Sequence, residues 1–281
     1  ITITAQAGSN GFSVANYDLT YVAGDLVVNA RAVTLTALPQ EGIYGDVLVL
    51  DETAFTVTDL DGDNALPNGE VIDTVILNTD AGANVGTYAD AIAITGQAGS
   101  NGFSATNYDL GYVAGDLVVN PRAVTLTALQ QERAYGDTMV LDETAFTITD
   151  LDGDSALPNG EVIDTVALNS DTGVDITTTS NVGAYADEIV ITGQSGSNGF
   201  SASNYDLSYV TGDLVVNQRA VTLTASQQER AYGDTIVLNE TAFTITDLDG
   251  DSALPNGEVI DTFALHSATE VDISTTSNVG T

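Results

Sequence analysis

The 281-residue chain contains 40 acidic residues against five arginines and no lysine, which gives a formal net charge of −35. A field of that sign repels nucleic acid and anionic membrane surfaces, which excludes both as partners, and no run of 18 apolar residues predicts membrane insertion. The chain has no cysteine, so disulfides and thiolate metal sites are excluded, while its 43% hydrophobic residues are enough to form packed cores.

The sequence is built from copies of one unit. Tyr-Gly-Asp begins at Tyr44, Tyr135 and Tyr232, and the string DLDGD begins at Asp59, Asp150 and Asp247. Both series are spaced by 91 and then 97 residues, which predicts tandem repeats of one domain. The predicted divisions are 1–29 as the C-terminal part of a repeat, 30–120 and 121–217 as complete repeats, and 218–281 as the N-terminal part of another.

The two partial copies allow two interpretations. Ile1 aligns with Ile189, and Thr281 aligns with Ala184. Either the sequence is a stretch of a longer repeat array, or residues 1–29 of one subunit complete residues 218–281 of the next by strand donation. The second arrangement would extend a filament head to tail. In both interpretations the expected partners of a repeat are copies of itself.

Strand patterns dominate the sequence, and helix patterns are absent. Residues 108–113, followed by Gly115-Asp116 and a short apolar run, predict a hairpin with glycine in a tight turn. Residues 122–128 alternate apolar side chains with threonine, which is typical of a half-buried strand. Further strands rich in β-branched residues are predicted at 144–151, 162–168 and 185–192. The predicted fold class is all-β, with each repeat of about 91–97 residues a β-sandwich or a β-grasp-like domain.

The joint between successive repeats is short. The apolar run that ends at Val119 is separated from the strand beginning at Ala123 by three residues, and one of them is Pro121. So short a linker leaves little freedom, so the repeats are expected to stack as a rod. Arg122 and Arg219 lie at two such joints, and we expect them to pair with carboxylates of the adjoining repeat, although exposed pairs are individually weak.

An acidic loop in each copy has the spacing of calcium ligands. Carboxylates occur at loop positions 1, 3, 5 and 12, a pattern that suits the oxygen ligands of Ca²⁺. Glycine at position 4 and the absence of flanking helices distinguish the loop from an EF-hand. The alternative interpretation is a solvated acidic turn. The candidate ligands are Asp59, Asp61, Asp63 and Glu70; Asp150, Asp152, Asp154 and Glu161; and Asp247, Asp249, Asp251 and Glu258.

An ordered set of motifs resembles a known repeat family. The motifs are Tyr135-Gly136-Asp137, the segments 181–185 and 191–193, then 204–210 and 212–216. Together they resemble the MBG and YDG repeats, which occur in tandem in very large bacterial surface proteins and adhesins. The resemblance implies an extracellular, β-rich spacer without catalytic residues. The absence of lysine and the strongly acidic loop depart from the family pattern and suggest a saline or calcium-containing setting.

These features favour a structural role over catalysis. The expected function is a spacer, stalk or filament-forming region of an extracellular adhesin or fibre at the cell surface, with calcium as a stiffening ion. The alternative is a multivalent adhesion module, in which each repeat binds a glycan or another cell surface. Tyr44, Tyr135 and Tyr232 are its candidate stacking residues. No nucleophile, phosphate-binding or metalloprotease motif is present, so an enzyme is not expected.

Overall fold

A computed structural model of the chain describes residues 1–62, 64–80, 82, 84–170, 178–235 and 237–266. The chain divides into two compact units, Ile1–Asn120 and Pro121–Thr281. Strands make up the regular structure of both units, and the helices among the described residues are single 3-10 turns of three residues each. None of the helices in the described ranges is long and apolar enough to cross a bilayer. The prediction of an all-β fold is therefore confirmed.

Sixteen strands are present in the described residues. They are β1 (Arg31–Ala37), β2 (Gln40–Ile43), β3 (Phe55–Asp59), β4 (Val71–Thr79), β5 (Gly86–Ser100), β6 (Tyr108–Val113), β7 (Gly115–Asn120), β8 (Arg122–Ala128), β9 (Gln131–Ala134), β10 (Phe146–Asp150), β11 (Val162–Ser170), β12 (Gly183–Ser197), β13 (Tyr205–Val210), β14 (Gly212–Asn217), β15 (Val221–Ala225) and β16 (Phe243–Asp247). The 3-10 turns are Val14–Asn16, Pro67–Gly69, Ala105–Asn107, Pro158–Gly160, Ala202–Asn204 and Pro255–Gly257.

Each complete repeat consists of two sheets. In the first unit a three-stranded sheet has the order β3-β1-β6, and a four-stranded sheet has the order β2-β7-β5-β4. The second unit repeats both, as β10-β8-β13 and β11-β12-β14-β9, and adds the pair β15-β16 from the partial copy. This two-sheet arrangement corresponds to the β-sandwich, one of the two predicted topologies.

The core of the first repeat lies between its two sheets. Along β1, Val33, Leu35 and Ala37 are buried, while the intervening threonines are partly exposed, as the two-residue period of a strand requires. They pack in one cluster with side chains of the other sheet, including Ile92 and Leu117. Burying a large aliphatic side chain completely stabilises the fold by about 1.5–3 kcal/mol, so these alternating runs stabilise the sandwich without disulfides.

The predicted hairpin at 108–120 is wrong. β6 and β7 are separated by a single residue but belong to different sheets, so the chain passes from one sheet to the other at this point. Gly115 lies in β7 and does not have a positive φ, but a Cβ on it would lie 2.7 Å from the carbonyl oxygen of Ala37. Glycine therefore serves close approach of two backbones here, which the sequence pattern does not distinguish from a turn.

The partial copies are less buried than the complete ones. Residues 1–29 form no strand among the described residues, and Leu26 is 73% exposed, whereas its equivalent Leu117 is 1% exposed. In the complete repeats the equivalent segment pairs with the first strands of its own repeat, and this pairing buries its apolar side chains.

Candidate joint between repeats

The acidic loop is a turn closed by its own first aspartate. In the second repeat Asp150 ends β10, and its Oδ1 accepts hydrogen bonds from the backbone N–H of Asp152 (2.9 Å) and of Asp154 (3.1 Å). The backbone N–H of Asp150 donates in return to the carbonyl of Asp154 at 2.9 Å. Gly153 has a φ of 85°, which glycine adopts without strain. The loop conformation is thus maintained by hydrogen bonds within the protein.

An arginine of the neighbouring strand fills the open side of this loop. β8 and β10 are antiparallel with Val124 opposite Asp150, which places Arg122 beside the loop. Its Nε and Nη2 donate to Asp150 Oδ2 at 3.1 and 2.9 Å, and Nη2 also contacts Asp152. The Arg122 side chain is 5% exposed and that of Asp150 is 3% exposed. The repulsion between the Asp150 and Asp152 carboxylates is therefore reduced by a positive charge that the chain itself supplies.

The same arrangement recurs in the other two copies. Arg31 binds Asp59 and Asp61, with its Nε and Nη2 at 3.0 and 2.6 Å from Asp59 Oδ2. In the partial copy Arg219 donates from Nε to Asp247 at 2.9 Å and contacts Asp249. Three described copies of the loop thus each hold a guanidinium.

Titration of the first aspartate reflects this environment. Burial alone would raise the pKa of Asp150, but hydrogen bonds from Arg122 and from the backbone N–H of Asp154 and Asp152 outweigh it and lower the pKa. The pKa of Asp247 is lowered in the same way, with burial opposed by hydrogen bonds from Arg219 and from two loop N–H groups. Both carboxyl groups are therefore ionised at neutral pH, as an ion pair requires.

The structure does not bring the predicted calcium ligands together as one set. The aspartates at loop positions 1 and 3 bind the guanidinium in each copy, and Asp63 lies outside the described residues. Asp154 and Asp251 are placed by their backbone N–H groups, which donate to Asp150 and Asp247. Among the residues that the structure describes, no group of three or more histidine, cysteine or acidic side chains could hold a metal ion. Calcium binding stays a prediction.

The glutamate at loop position 12 binds a tyrosine instead of approaching the aspartates. Glu70 accepts a hydrogen bond from the Tyr108 hydroxyl at 2.5 Å, and Glu161 accepts one from Tyr205 at 2.7 Å. Burial and the bond to Glu70 raise the pKa of Tyr108 to about 12. In these two repeats the glutamate therefore ties the loop to the strand of the Asn-Tyr-Asp-Leu motif.

Within the second unit, Arg219 also reaches the preceding repeat. Its Nη1 donates to Asp137 Oδ1 at 2.5 Å and lies 3.4 Å from the carbonyl of Tyr135. Asp137 belongs to the Tyr-Gly-Asp turn of repeat 121–217, whereas Asp247 belongs to the copy that follows it. The Arg219 side chain is 7% exposed. A single, nearly buried guanidinium therefore contacts carboxylates of two successive repeats. The hydrogen bonds to Asp247 and Asp137 raise the pKa of Arg219 above its ordinary value.

Arg122, the other predicted joint residue, has its described carboxylate partners in its own repeat, at Asp150 and Asp152. Its pairing with the adjoining repeat stays a prediction. For Arg219 the carboxylates of both repeats are among the described partners.

Further contacts join the same two repeats. The Tyr135 hydroxyl donates to Glu258 at 2.6 Å. A Cβ on Gly136 would lie 2.3 Å from Pro255, and Gly136 has a φ of 90°. A side chain at this position would therefore both clash with Pro255 and strain the backbone. Asn256 Nδ2 donates to the carbonyl of Thr178 at 2.9 Å. The joint is thus a packed interface between the Tyr-Gly-Asp turn and the acidic loop of the next copy.

The sequence predicted the arginine of this joint but missed the acceptor in the preceding repeat. The sequence marks Asp137 only as part of a family motif, and Tyr135 as part of that motif and as a stacking candidate. The available signal was the recurrence of both motifs at one spacing: each copy that has a Tyr-Gly-Asp turn also has an acidic loop and an arginine equivalent to Arg219.

Comparison with known proteins agrees with the repeat architecture. The family model described as "MBG domain (YGX type)" matches twice in tandem, at residues 33–118 and 124–215. No curated protein and no solved structure matches the chain. The two matches together span more than half of the sequence, and each falls on one complete two-sheet repeat. The chain therefore belongs to the MBG domain family of the YGX type.

Proposed function

We propose that this chain is a structural, non-catalytic spacer in the repeat region of an extracellular surface protein, as in an adhesin stalk or fibre. The observation that carries the proposal is the Arg219 guanidinium, which contacts Asp137 of one repeat and Asp247 and Asp249 of the next. A spacer needs repeats that maintain a fixed orientation to their neighbours. A nearly buried contact shared by two repeats meets that need.

The chemistry of the joint favours stiffness. Only residues 218–220 separate the last strand of one repeat from β15 of the next. The planar guanidinium offers donors in fixed directions, so its three carboxylate partners restrict rotation about the joint as well as separation. Since the Arg219 side chain is largely shielded from solvent, salt screens its contacts less than those of an exposed pair.

The net charge suits an array of such repeats. Exposed sheet edges tend to associate with one another, and like-charged surfaces oppose that association. A charge of −35 on 281 residues therefore favours separate rather than aggregated spacers. Surface location is checked by labelling intact cells of the source organism with antibodies against this chain: staining only after lysis would contradict an extracellular role.

The positions of two candidate tyrosines support the spacer over the adhesion module. Tyr44 is buried, and the Tyr135 hydroxyl donates to Glu258 at the joint. Neither ring is presented as an open platform on which a sugar could stack. Tyr232, in the partial copy, is exposed. The recurring tyrosine of the Tyr-Gly-Asp turn therefore fits packing better than ligand binding.

Stiffness at the joint is testable with spin labels. The chain has no cysteine, so Thr147→Cys and Thr244→Cys, at equivalent exposed positions of β10 and β16, give two unique labelling sites. Electron–electron double resonance then measures the distance distribution between them. We expect a narrow distribution that broadens in Arg219→Gln. The control is Arg230→Gln, which removes the same charge from a side chain whose described hydrogen bonds go to carbonyls of its own turn.

Two outcomes would contradict the proposed role of the joint. A broad distribution in the labelled parent chain would mean that successive repeats move freely. A distribution that is as narrow in Arg219→Gln as in Arg230→Gln would mean that Arg219 is not what orients the repeats. Self-association of the chain is a separate prediction, and light scattering over a concentration series checks it: a mass that stays near 29.0 kDa would exclude head-to-tail filaments of this chain under those conditions.

A further inference from the structure

The first and last strands of each repeat lie side by side and run parallel. In the first repeat β1 pairs with β6 over six residue pairs, from Arg31–Tyr108 to Thr36–Val113. β2 pairs with β7 over four more, and the final pair is Ile43–Asn120. In both strand pairs the paired residues differ by 77 in residue number, as in 31 with 108 and 43 with 120. The β1–β6 and β2–β7 pairs therefore share one register, although they belong to different sheets. We call this pair of segments, 31–43 with 108–120, the parallel ribbon.

The second repeat contains the same ribbon, formed by residues 122–134 and 205–217. Its partners differ by 83 throughout, from Arg122–Tyr205 to Ala134–Asn217. The six extra residues of this repeat therefore change the offset but leave every pair in place. The ribbon is a constant feature of the fold, and loop length varies outside it.

Parallel pairing determines how tension acts on a repeat. The chain enters the second repeat at the amino end of β8 and leaves it at the carboxyl end of β14. Because the ribbon strands run in the same direction, these two points lie at opposite ends of the ribbon. Tension along the chain therefore pulls the two strands past each other, and all the interstrand hydrogen bonds bear load together. In a hairpin pulled from its open end, the bonds would break one after another.

The core opposes this sliding. Leu126 on one ribbon strand and Leu214 and Val216 on the other are almost completely buried. A slip of one residue would turn these side chains to the opposite face of their sheets, and a slip of two would withdraw each from its packed position. Sliding must therefore disrupt the core and the hydrogen bonds at the same time.

Both ends of the ribbon are also tied by side chains. At its start Arg122 is paired with Asp150 on β10. At its far end Asn217 Nδ2 donates to Glu132 at 2.9 Å, and the carbonyl of Asn217 accepts the backbone N–H of Tyr135 at 2.9 Å. These contacts oppose fraying where tension is applied first.

We propose that each repeat is a load-bearing element, in which the parallel ribbon resists tension along the chain by shear. The proposal deepens the spacer function, since a surface spacer transmits force between its two ends, and in that sense it rests on the proposed function. It is a property of the single repeat, however, and does not depend on a stiff joint.

The test pulls one folded repeat in two directions. In the full chain, Pro121→Cys with Gln218→Cys attaches handles at opposite ends of the ribbon, and Pro121→Cys with Ser203→Cys attaches them at the same end. All three positions are exposed. Optical tweezers or force microscopy then records the unfolding force at one pulling rate. The first geometry releases about 300 Å of chain on unfolding, at about 3.5 Å per residue less the folded length, which identifies the event.

We expect an unfolding force roughly twofold or more higher in the first geometry, because about ten residue pairs then bear load together instead of in succession. Equal forces in the two geometries, or a lower force in the first, would overturn the proposal. The same hydrogen bonds and the same core are present in both, so differences in folding stability cannot produce the result. Equal unfolding forces together with a narrow spin-label distribution would overturn the load-bearing proposal and leave the spacer role intact. A higher force in the first geometry together with a broad spin-label distribution would overturn the spacer role alone.

Discussion

Replacing Arg122 by glutamine tests the buried ion pair of the second repeat. The substitution removes two hydrogen bonds to Asp150 and leaves that carboxylate, 3% exposed, with the loop N–H groups as the donors described for it. Breaking a buried pair on one side typically costs 3–5 kcal/mol, and since two backbone donors remain we expect about 3 kcal/mol of lost unfolding free energy. Asp152 is mostly exposed, so losing its contact adds little.

Urea unfolding followed by circular dichroism measures the loss. Arg230→Gln is the matched control, because it removes the same charge from a half-buried side chain in a neighbouring copy, where the described hydrogen bonds go to backbone carbonyls. Adding Asp150→Asn to Arg122→Gln removes the isolated charge, so the double variant should regain part of the stability. An Arg122→Gln chain as stable as the control, or a double variant less stable than the single one, would refute the reasoning.

The effect should depend on pH with a definite sign. The folded pKa of Asp150 is lowered below its unfolded value of about 3.9, so the pair contributes stability above that pH and loses it as the pH falls through the folded pKa. The difference between the parent chain and Arg122→Gln should therefore be constant near neutrality and shrink below about pH 4. A difference that grows on acidification would contradict the ion-pair explanation.

Two further predictions concern the sheet crossing and calcium. Gly212→Ala should lower the melting midpoint of the second repeat, because the added Cβ would lie 2.7 Å from the carbonyl oxygen of Ala128. The control Gly183→Ala, where the added Cβ makes only ordinary contacts, should melt near the parent chain. Equal midpoints in the two variants would show that the crossing between sheets tolerates a side chain. If the acidic loops bind calcium, the melting midpoint should be higher in calcium than in chelator at matched ionic strength, by linkage. An unchanged midpoint would leave the loops as arginine-filled turns.

Local patterns in the sequence predicted much of the strand content. The alternation in residues 122–128 matches β8, because the period of side chains along a strand is set within the strand itself. The repeats and the all-β class follow from features of the same kind. The parallel pairing of β8 with β13 links residues 83 apart and leaves no local trace, so it was not predicted.

The hairpin error and the arginine in the acidic loop have a related explanation. A glycine at position 115 suggests a turn by residue type. Its role depends instead on the carbonyls of Ala37 and Leu38, which are about 77 residues earlier in the chain and lie next to it in the folded repeat. The acidic loop suggests a metal because its carboxylates are adjacent in sequence, whereas Arg122 reaches them only across a sheet. Local composition therefore predicted a site for positive charge, and the contact with Arg122 across the sheet was not visible in it.

Small-angle X-ray scattering on arrays of increasing length tests the spacer function most directly. Chains extended by one, two and three extra copies of residues 121–217 would be compared with the parent. If the repeats are stiffly joined, the maximum dimension should grow linearly, by about 40 Å per added copy, which is the length of a 13-residue ribbon strand. Growth that falls off towards the square root of repeat number, as flexible linkers give, would contradict a spacer built from oriented repeats.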